Sequence, residues 1–230
     1  MNTLLGVIAV ALVFGWLLLV ERYFKKEGVF VFMAVASITA NILICKSITV
    51  LGLSATLGNV LFASNFLATD ILSEKYGVEH SRKATKMAVM AVLMFVGATQ
   101  MALLFVPNEY DIANGAMQTL FTLSLRTSLV SITLFFLSNM ADIFLFEAIK
   151  EKVPNKLWLR NNVATITANC TENFLFYGIA FYGIMDWKTI FSCGLTATII
   201  EFVIAICDTP FLYIATKEKR DSEKLSEVSC

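Results

Sequence analysis

The sequence predicts an all-α fold, a polytopic bundle of transmembrane helices. Three observations carry this. Hydrophobic residues are 57% of the 230 and charged residues only 16%, with mean hydropathy +0.73, where a soluble domain holds about 25% charged residues. Apolar runs long enough to cross a bilayer recur along the chain. Lys and Arg counts after successive spans alternate 3, 0, 4, 0, 4, 1 and 4, the asymmetry that sets orientation in a membrane. Together they predict seven spans in the cell (inner) membrane, with the N-terminus outside and the C-terminus cytoplasmic.

Residues 3–20 (TLLGVIAVALVFGWLLLV) are an uncharged run of spanning length. The basic residues follow this run in ERYFKKEG instead of preceding it, which favours a retained helix over a signal peptide. A second span is expected over about 29–51, with Asn41 and Lys46 inside it, and Lys46 is read as snorkelling to the outer interface. A third covers 55–75, and a fourth covers 84–106, stopping at Pro107. Residues 108–124 carry Glu109, Asp111 and Asn114 and suit a loop with a short interfacial helix. The fifth span covers 125–149, the sixth lies in Arg160–Gly183, and the seventh covers 189–215. The organisation is residues 1–28 as an extra N-terminal helix with its basic loop, 29–216 as a six-span core, and 217–230 as a charged cytoplasmic tail, frayed as chain ends tend to be.

Several functions are not expected. Net charge is zero, so charge offers no nucleic acid as partner. His80 is the only histidine, so neither a His-rich zinc site nor another metal is expected. No GxxxxGK[ST] occurs, so the chain carries no ATPase motor. An enzyme would need a nucleophile–base pair, and His80 stands alone in a loop. No cofactor is expected. Cys45, Cys170, Cys193 and Cys207 lie in apolar segments and read as small buried hydrophobes.

The informative residues are polar ones inside the spans. Asn162, Thr165, Asn169, Glu172 and Asn173 fall within about a 100° arc at 100° per residue. Lipid does not tolerate such a stripe, because each unpaired polar group there costs several kcal/mol. The face either lines a polar cavity or holds neighbouring helices by amide hydrogen bonds. On the third span Asn59, Phe62, Phe66, Thr69, Asp70 and Ser73 share a side, with Glu74 a turn from Asp70. Glu74 is open to pairing with a loop lysine. On the fifth, Ser128, Ser131, Phe135, Asn139, Asp142 and Phe146 share a face, with Arg126 at its outer end. On the seventh, Glu201 and Asp208 are seven apart, and Pro210 follows. Acids and amides with few cations suit a ligand rich in N–H donors, a cation or a proton relay. Phenylalanines on the same faces suit a planar ligand. The residues alone give a small-molecule transporter; a membrane sensor or scaffold is the alternative from another class.

The run Ser64-Asn65-Phe66-Leu67-Ala68-Thr69-Asp70-Ile71-Leu72-Ser73-Glu74-Lys75-Tyr76-Gly77 resembles the "TD…E.YG" signature of the YhhQ, or vitamin uptake transporter (VUT), family of queuosine precursor transporters. The likeness continues at Arg126, Ser138-Asn139, Asp142, Leu157 to Asn162, Asn169-Cys170-Thr171-Glu172, Ile179 to Gly183 and Asp208 to Tyr213. It covers about residues 35–215. The family pattern has six spans, so the first helix is an addition. Some members carry Asp where Glu172 stands, which bears on the choice of substrate. The resemblance implies a helical core like that of ECF S-components, the substrate-binding subunits of energy-coupling-factor importers. It implies import of 7-deazaguanine bases (preQ0, preQ1 or queuine), salvaged for tRNA modification. Glu172 or Asp142 would hold the donor edge of the base. Asn139, Asn162 and Asn169 would read its carbonyl. Phe66 or Phe176 would stack on the ring, and Asp70 would line or gate the route. Family members work alone, so no ECF-type ATPase partner is expected; a homo-oligomer is left open. Another purine or a vitamin remains the alternative ligand. Proton coupling and facilitated diffusion are both open as driving mechanisms.

Overall fold

The computed structural model describes residues 2–50, 53–121 and 125–217. The tail beyond Lys217 and the side chains of Arg126 and Ser128 lie outside the described residues.

Helix α1 runs Asn2–Leu43 and is broken at Lys25 (φ 54°, ψ −143°). The break folds it into two antiparallel arms. Asn2 Nδ2 donates to the Thr49 carbonyl oxygen, 3.3 Å away, just past the end of the second arm. Leu12 and Trp16 of one arm line an apolar groove with Val31 and Val35 of the other. Gly28 permits the close return: a Cβ there would lie 2.7 Å from the Val20 carbonyl oxygen. The expected basic loop is therefore mostly helix, since Glu, Arg and Lys are good helix formers and a single residue makes the turn.

The second arm stops short of residue 51. Strands β1 (Ser47–Val50) and β2 (Leu53–Thr56) form an antiparallel hairpin, with Ser47 opposite Thr56 and Val50 opposite Leu53. Ile48, Thr49, Val50 and Thr56 are β-branched and favour the extended chain. Then come α2 (Gly58–Lys75), α3 (Val78–Leu104), α4 (Asn114–Phe121), α5 (Leu125–Lys152), α6 (Leu157–Ala180) and α7 (Trp187–Ala215). The Asp111 carboxylate caps α4 by accepting from Ala113 N and Asn114 N, each at 2.9 Å. Asp186 caps α7, accepting from Thr189 N at 3.0 Å and Thr189 Oγ1 at 2.7 Å. Those hydrogen bonds hold the exposed Asp186 carboxyl below its usual range, so the cap operates at neutral pH and is lost as pH falls through that lowered value.

Among the described residues four helices, α1, α3, α5 and α7, are long and apolar enough to cross a membrane. Their outward side chains are large and apolar: Trp16 is 62% exposed, Met94 78% and Phe144 66%. This overturns the reading of the cysteines. Cys45 and Cys207 are exposed and Cys170 and Cys193 only partly buried, because an apolar segment in lipid turns much of its surface outward. Inside, Phe14, Leu17, Met33, Leu67, Ile71, Phe146 and Leu212 form one core. The first arm belongs to it: the Phe14 ring meets Phe211 of α7 edge-on, with centroids 5.3 Å apart.

The two ends of the bundle differ. One carries the β-hairpin, α4 and the α6–α7 turn. The other, the basic end, carries Lys25, the α2–α3 turn and the α5–α6 loop. There Glu21 accepts from Lys75 Nζ at 2.7 Å and Tyr76 Oη at 2.6 Å. Glu74 binds Arg160 Nη2 at 2.6 Å and Lys150 Nζ at 3.1 Å. His80 Nε2 lies 3.2 Å from Lys26 Nζ.

Candidate functional site

Helices α2, α5, α6 and α7 turn their polar faces toward one another, and the side chains sort by depth. Toward the hairpin end lies a cavity of about 380 Å³, within the roughly 300–1,000 Å³ of small-molecule sites. Its two carboxylates are Glu172 of α6 and Glu201 of α7, near enough to act on each other electrostatically. Asn173 Nδ2 donates to Glu201 Oε2 at 2.7 Å, which occupies one oxygen of Glu201. Asn59 lines the cavity on the α2 side and accepts from Thr56 Oγ1 through its Oδ1, at 2.5 Å. The aromatic walls are Phe62 and Phe66 of α2, Phe135 of α5, and Phe176 and Tyr177 of α6. The Phe62 and Phe135 rings tilt against each other at 6.1 Å. Phe176 meets Tyr177 edge-on at 5.4 Å.

One to two helical turns toward the basic end, the cavity gives way to a buried polar cluster. Asp142 of α5 accepts from Thr165 Oγ1 of α6 at 3.1 Å and from Thr69 Oγ1 of α2 at 3.4 Å. Asp208 Oδ1 of α7 accepts from Asn161 Nδ2 of α6 at 2.7 Å. Asp70 of α2 is 1% exposed, and neither of its oxygens has a hydrogen-bond partner among the described residues. Asn139 and Asn169 lie between the two layers by helix position: Asn139 is one turn from cavity-lining Phe135, and Asn169 is three residues before Glu172. Both are buried, each with its Oδ1 unpartnered. Asn139 donates instead to the Phe135 carbonyl oxygen at 2.8 Å. Asn162 donates to Trp158 O at 2.8 Å and Thr209 Oγ1 at 2.7 Å.

Of the eight residues singled out from the sequence, the cavity wall thus brings together Glu172, Phe66 and Phe176. Asp142, Asp70, Asn139, Asn169 and Asn162 are not on that wall; they pack beneath it. Asp142 is held by two threonine hydroxyls, with no hydrogen bond to a basic group among the described residues. Glu74 does pair with cations, one of them Lys150. Sequence reasoning did not propose Glu201 or Asn59 as contacts, although both stood on stripes it had drawn.

A family model described as "Putative vitamin uptake transporter" matches residues 56–215. The chain belongs to this family of vitamin uptake transporters. It is also 35% identical over 214 residues to the "Probable queuosine precursor transporter" of Bacillus subtilis (strain 168), covering 91% of this chain and 92% of that protein. No solved structure matches it. As a vitamin uptake transporter it is a multi-pass membrane protein that carries a small molecule of the vitamin or precursor type.

Proposed function

We propose that this vitamin uptake transporter imports 7-deazaguanine bases, the precursors of queuosine, across the cell (inner) membrane, with its basic end in the cytoplasm. One observation carries the reading: a cavity of base-accommodating size with phenylalanines on its walls and a carboxylate, Glu172, that forms no ion pair with a lysine or arginine among the described residues. The printed name of the Bacillus subtilis relative supports the same substrate class. A deazaguanine presents a ring N–H and an exocyclic amine side by side. One carboxylate accepts both, and such a paired contact discriminates by about 1–3 kcal/mol in base recognition. Glu172 accepts from Ser138 and Glu201 from Asn173; the donor edge is assigned to Glu172, which lies in the family-like run Asn169-Cys170-Thr171-Glu172. Asn59 and Asn173 are the amides on the wall, and in this reading they take the carbonyl-reading part expected of Asn139, Asn162 and Asn169. Phe66 and Phe176 sandwich the ring, a contact worth about 1–3 kcal/mol per base in other systems.

The test is uptake in a strain that makes no queuosine precursors, read as queuosine in its tRNA. Glu172→Gln keeps the shape and loses the charge, and is expected to cut uptake at limiting base about 5- to 150-fold, the rate equivalent of 1–3 kcal/mol. Normal uptake by a normally expressed Glu172→Gln variant would remove Glu172 from the site. Equal competition by guanine would broaden the substrate to purines.

A further inference from the structure

The buried layer beneath the cavity holds more acceptor oxygens than the chain supplies donors for. Six side-chain oxygens there lack a hydrogen-bond partner among the described residues: Oδ1 and Oδ2 of Asp70, Oδ2 of Asp208, and Oδ1 of Asn139, Asn161 and Asn169. All five residues are at most 3% exposed. Leaving such groups unpaired in a low-dielectric interior is costly, so the layer is built to receive something that donates. Charge points the same way. Asp142 from α5, Asp208 from α7, Arg160 from α6 and Glu74 from α2 itself act on Asp70 electrostatically; no titratable group of α1 or α3 is among those acting on it. Arg160 is the one cation of the set. Two of its nitrogens are committed, Nη2 on Glu74 and Nη1 on the Pro154 carbonyl oxygen at 2.6 Å, which leaves only Nε without a partner among the described residues, one donor against six acceptor oxygens.

Two ligands fit an oxygen-rich, donor-poor layer: a metal cation or a proton. The geometry decides between them. Among the described residues no three His, Cys, Asp or Glu side chains approach closely enough to hold a metal ion. A sodium or calcium site needs such an oxygen shell, whereas a proton needs one oxygen and one acceptor. We propose that Asp70, Asp142 and Asp208 together hold a transported proton, and that its passage couples to movement of the base in the cavity above. The step makes and breaks only O–H bonds: the proton arrives on a carboxylate oxygen from the cavity side, is held on one carboxylate of the trio at a time, and leaves toward the basic end. Asn139 and Asn169, between the layers with their carbonyl oxygens free, are acceptors on the path. Asp70 is the member that must change state, because it alone has both oxygens unpartnered. The coupling rests on the base-import reading; the proton site itself does not.

The experiment uses the full chain in liposomes and has two arms. The first needs no substrate. Infrared spectra of the wild type should show the carbonyl band of a buried carboxylic acid at neutral pH, shifted by deuterium exchange and absent from Asp70→Asn. Absence of the band from the wild type overturns the proposal. The second arm follows the neutral cyano-substituted deazaguanine with membrane potential clamped. An inward pH difference of one unit should drive about tenfold accumulation if one proton moves with each base. Asp70→Asn should lose this accumulation yet keep base-for-base exchange within about twofold, since exchange needs no net proton movement. Asp70→Glu should restore part of the accumulation, which shows that the charge-bearing group matters and that folding is intact. Accumulation that follows a sodium gradient, or ignores the pH difference while exchange is normal, overturns the proposal. If the base neither binds nor exchanges but the Asp70-dependent band is present, the substrate reading fails and the proton site stands.

Discussion

Gly58 opens α2 where it meets the second arm of α1. A Cβ at this position would lie 2.9 Å from the Ala40 carbonyl oxygen and 3.2 Å from backbone atoms of Ile44. Those neighbours are backbone and cannot rotate away, so Gly58→Val must push the two helices apart. Overpacking of this kind costs about 1–3 kcal/mol, and a lower melting temperature in detergent, with wild-type membrane insertion, is the expected outcome. The same residue scale shows what sequence could and could not deliver. Glu172 and Asp142 stood out because an acid inside an apolar span demands a reason. Which of the two faces the cavity was not legible, because helical spacing gives the direction of a side chain around its axis and not its depth against a neighbouring helix. Glu201 and Asp208 illustrate this: seven residues put them on one face but about 10 Å apart along the axis. One consequently lines the cavity while the other hydrogen-bonds Asn161 beneath it.

At the scale of elements, α2 and α6 are tied at the basic end by Arg160. Its guanidinium bridges Glu74 and the Pro154 carbonyl oxygen and lies over the Phe146 ring, 5.1 Å from the centroid. Arg160 is 2% exposed and Glu74 4%. Removing one partner of such a buried pair costs about 3–5 kcal/mol. Lys150 remains near Glu74 at 3.1 Å, so Arg160→Met should fall toward the low end, read as a lower melting temperature of the purified protein. Arg160→Lys should recover little, since a point ammonium cannot serve two acceptors and a ring face at once. Element existence was well legible: helices where spans were expected, the short helix within 108–124 and the polar faces all follow from hydropathy and period. The place of the α1 turn was expected between residues 20 and 29, but its form was not, because the segment around Lys25 is made of helix formers and the reversal depends on one residue's backbone and the bare face of Gly28. Replacing Gly28 with Ala, which would bring a methyl group onto the Val20 carbonyl oxygen, should lower the yield of correctly inserted protein.

Over the whole molecule, the two layers and the two ends make one vectorial path. The cavity reaches the hairpin end through Thr56, Ile44 and Ser192, while the basic end is closed under the cavity by the Asp70 layer and the Glu74–Arg160 tie. The geometry is that of a transporter open on one side. The native cysteines offer a test of the side. Cys193 lines the cavity and is partly buried, whereas Cys207 is exposed on the apolar surface about four turns further toward the basic end of α7. A membrane-impermeant maleimide reacts with a thiol only where water carries both. With Cys45, Cys170 and Cys230 replaced by serine or alanine, Cys193 should be labelled from outside the cell and Cys207 should not. Saturating deazaguanine should slow Cys193 labelling by mass action, about tenfold when the base is present at ten times its dissociation constant. Labelling of Cys193 only from the cytoplasmic side would reverse the orientation argued from Lys and Arg counts while leaving the cavity in place. Labelling unaffected by the base would separate the cavity from substrate binding.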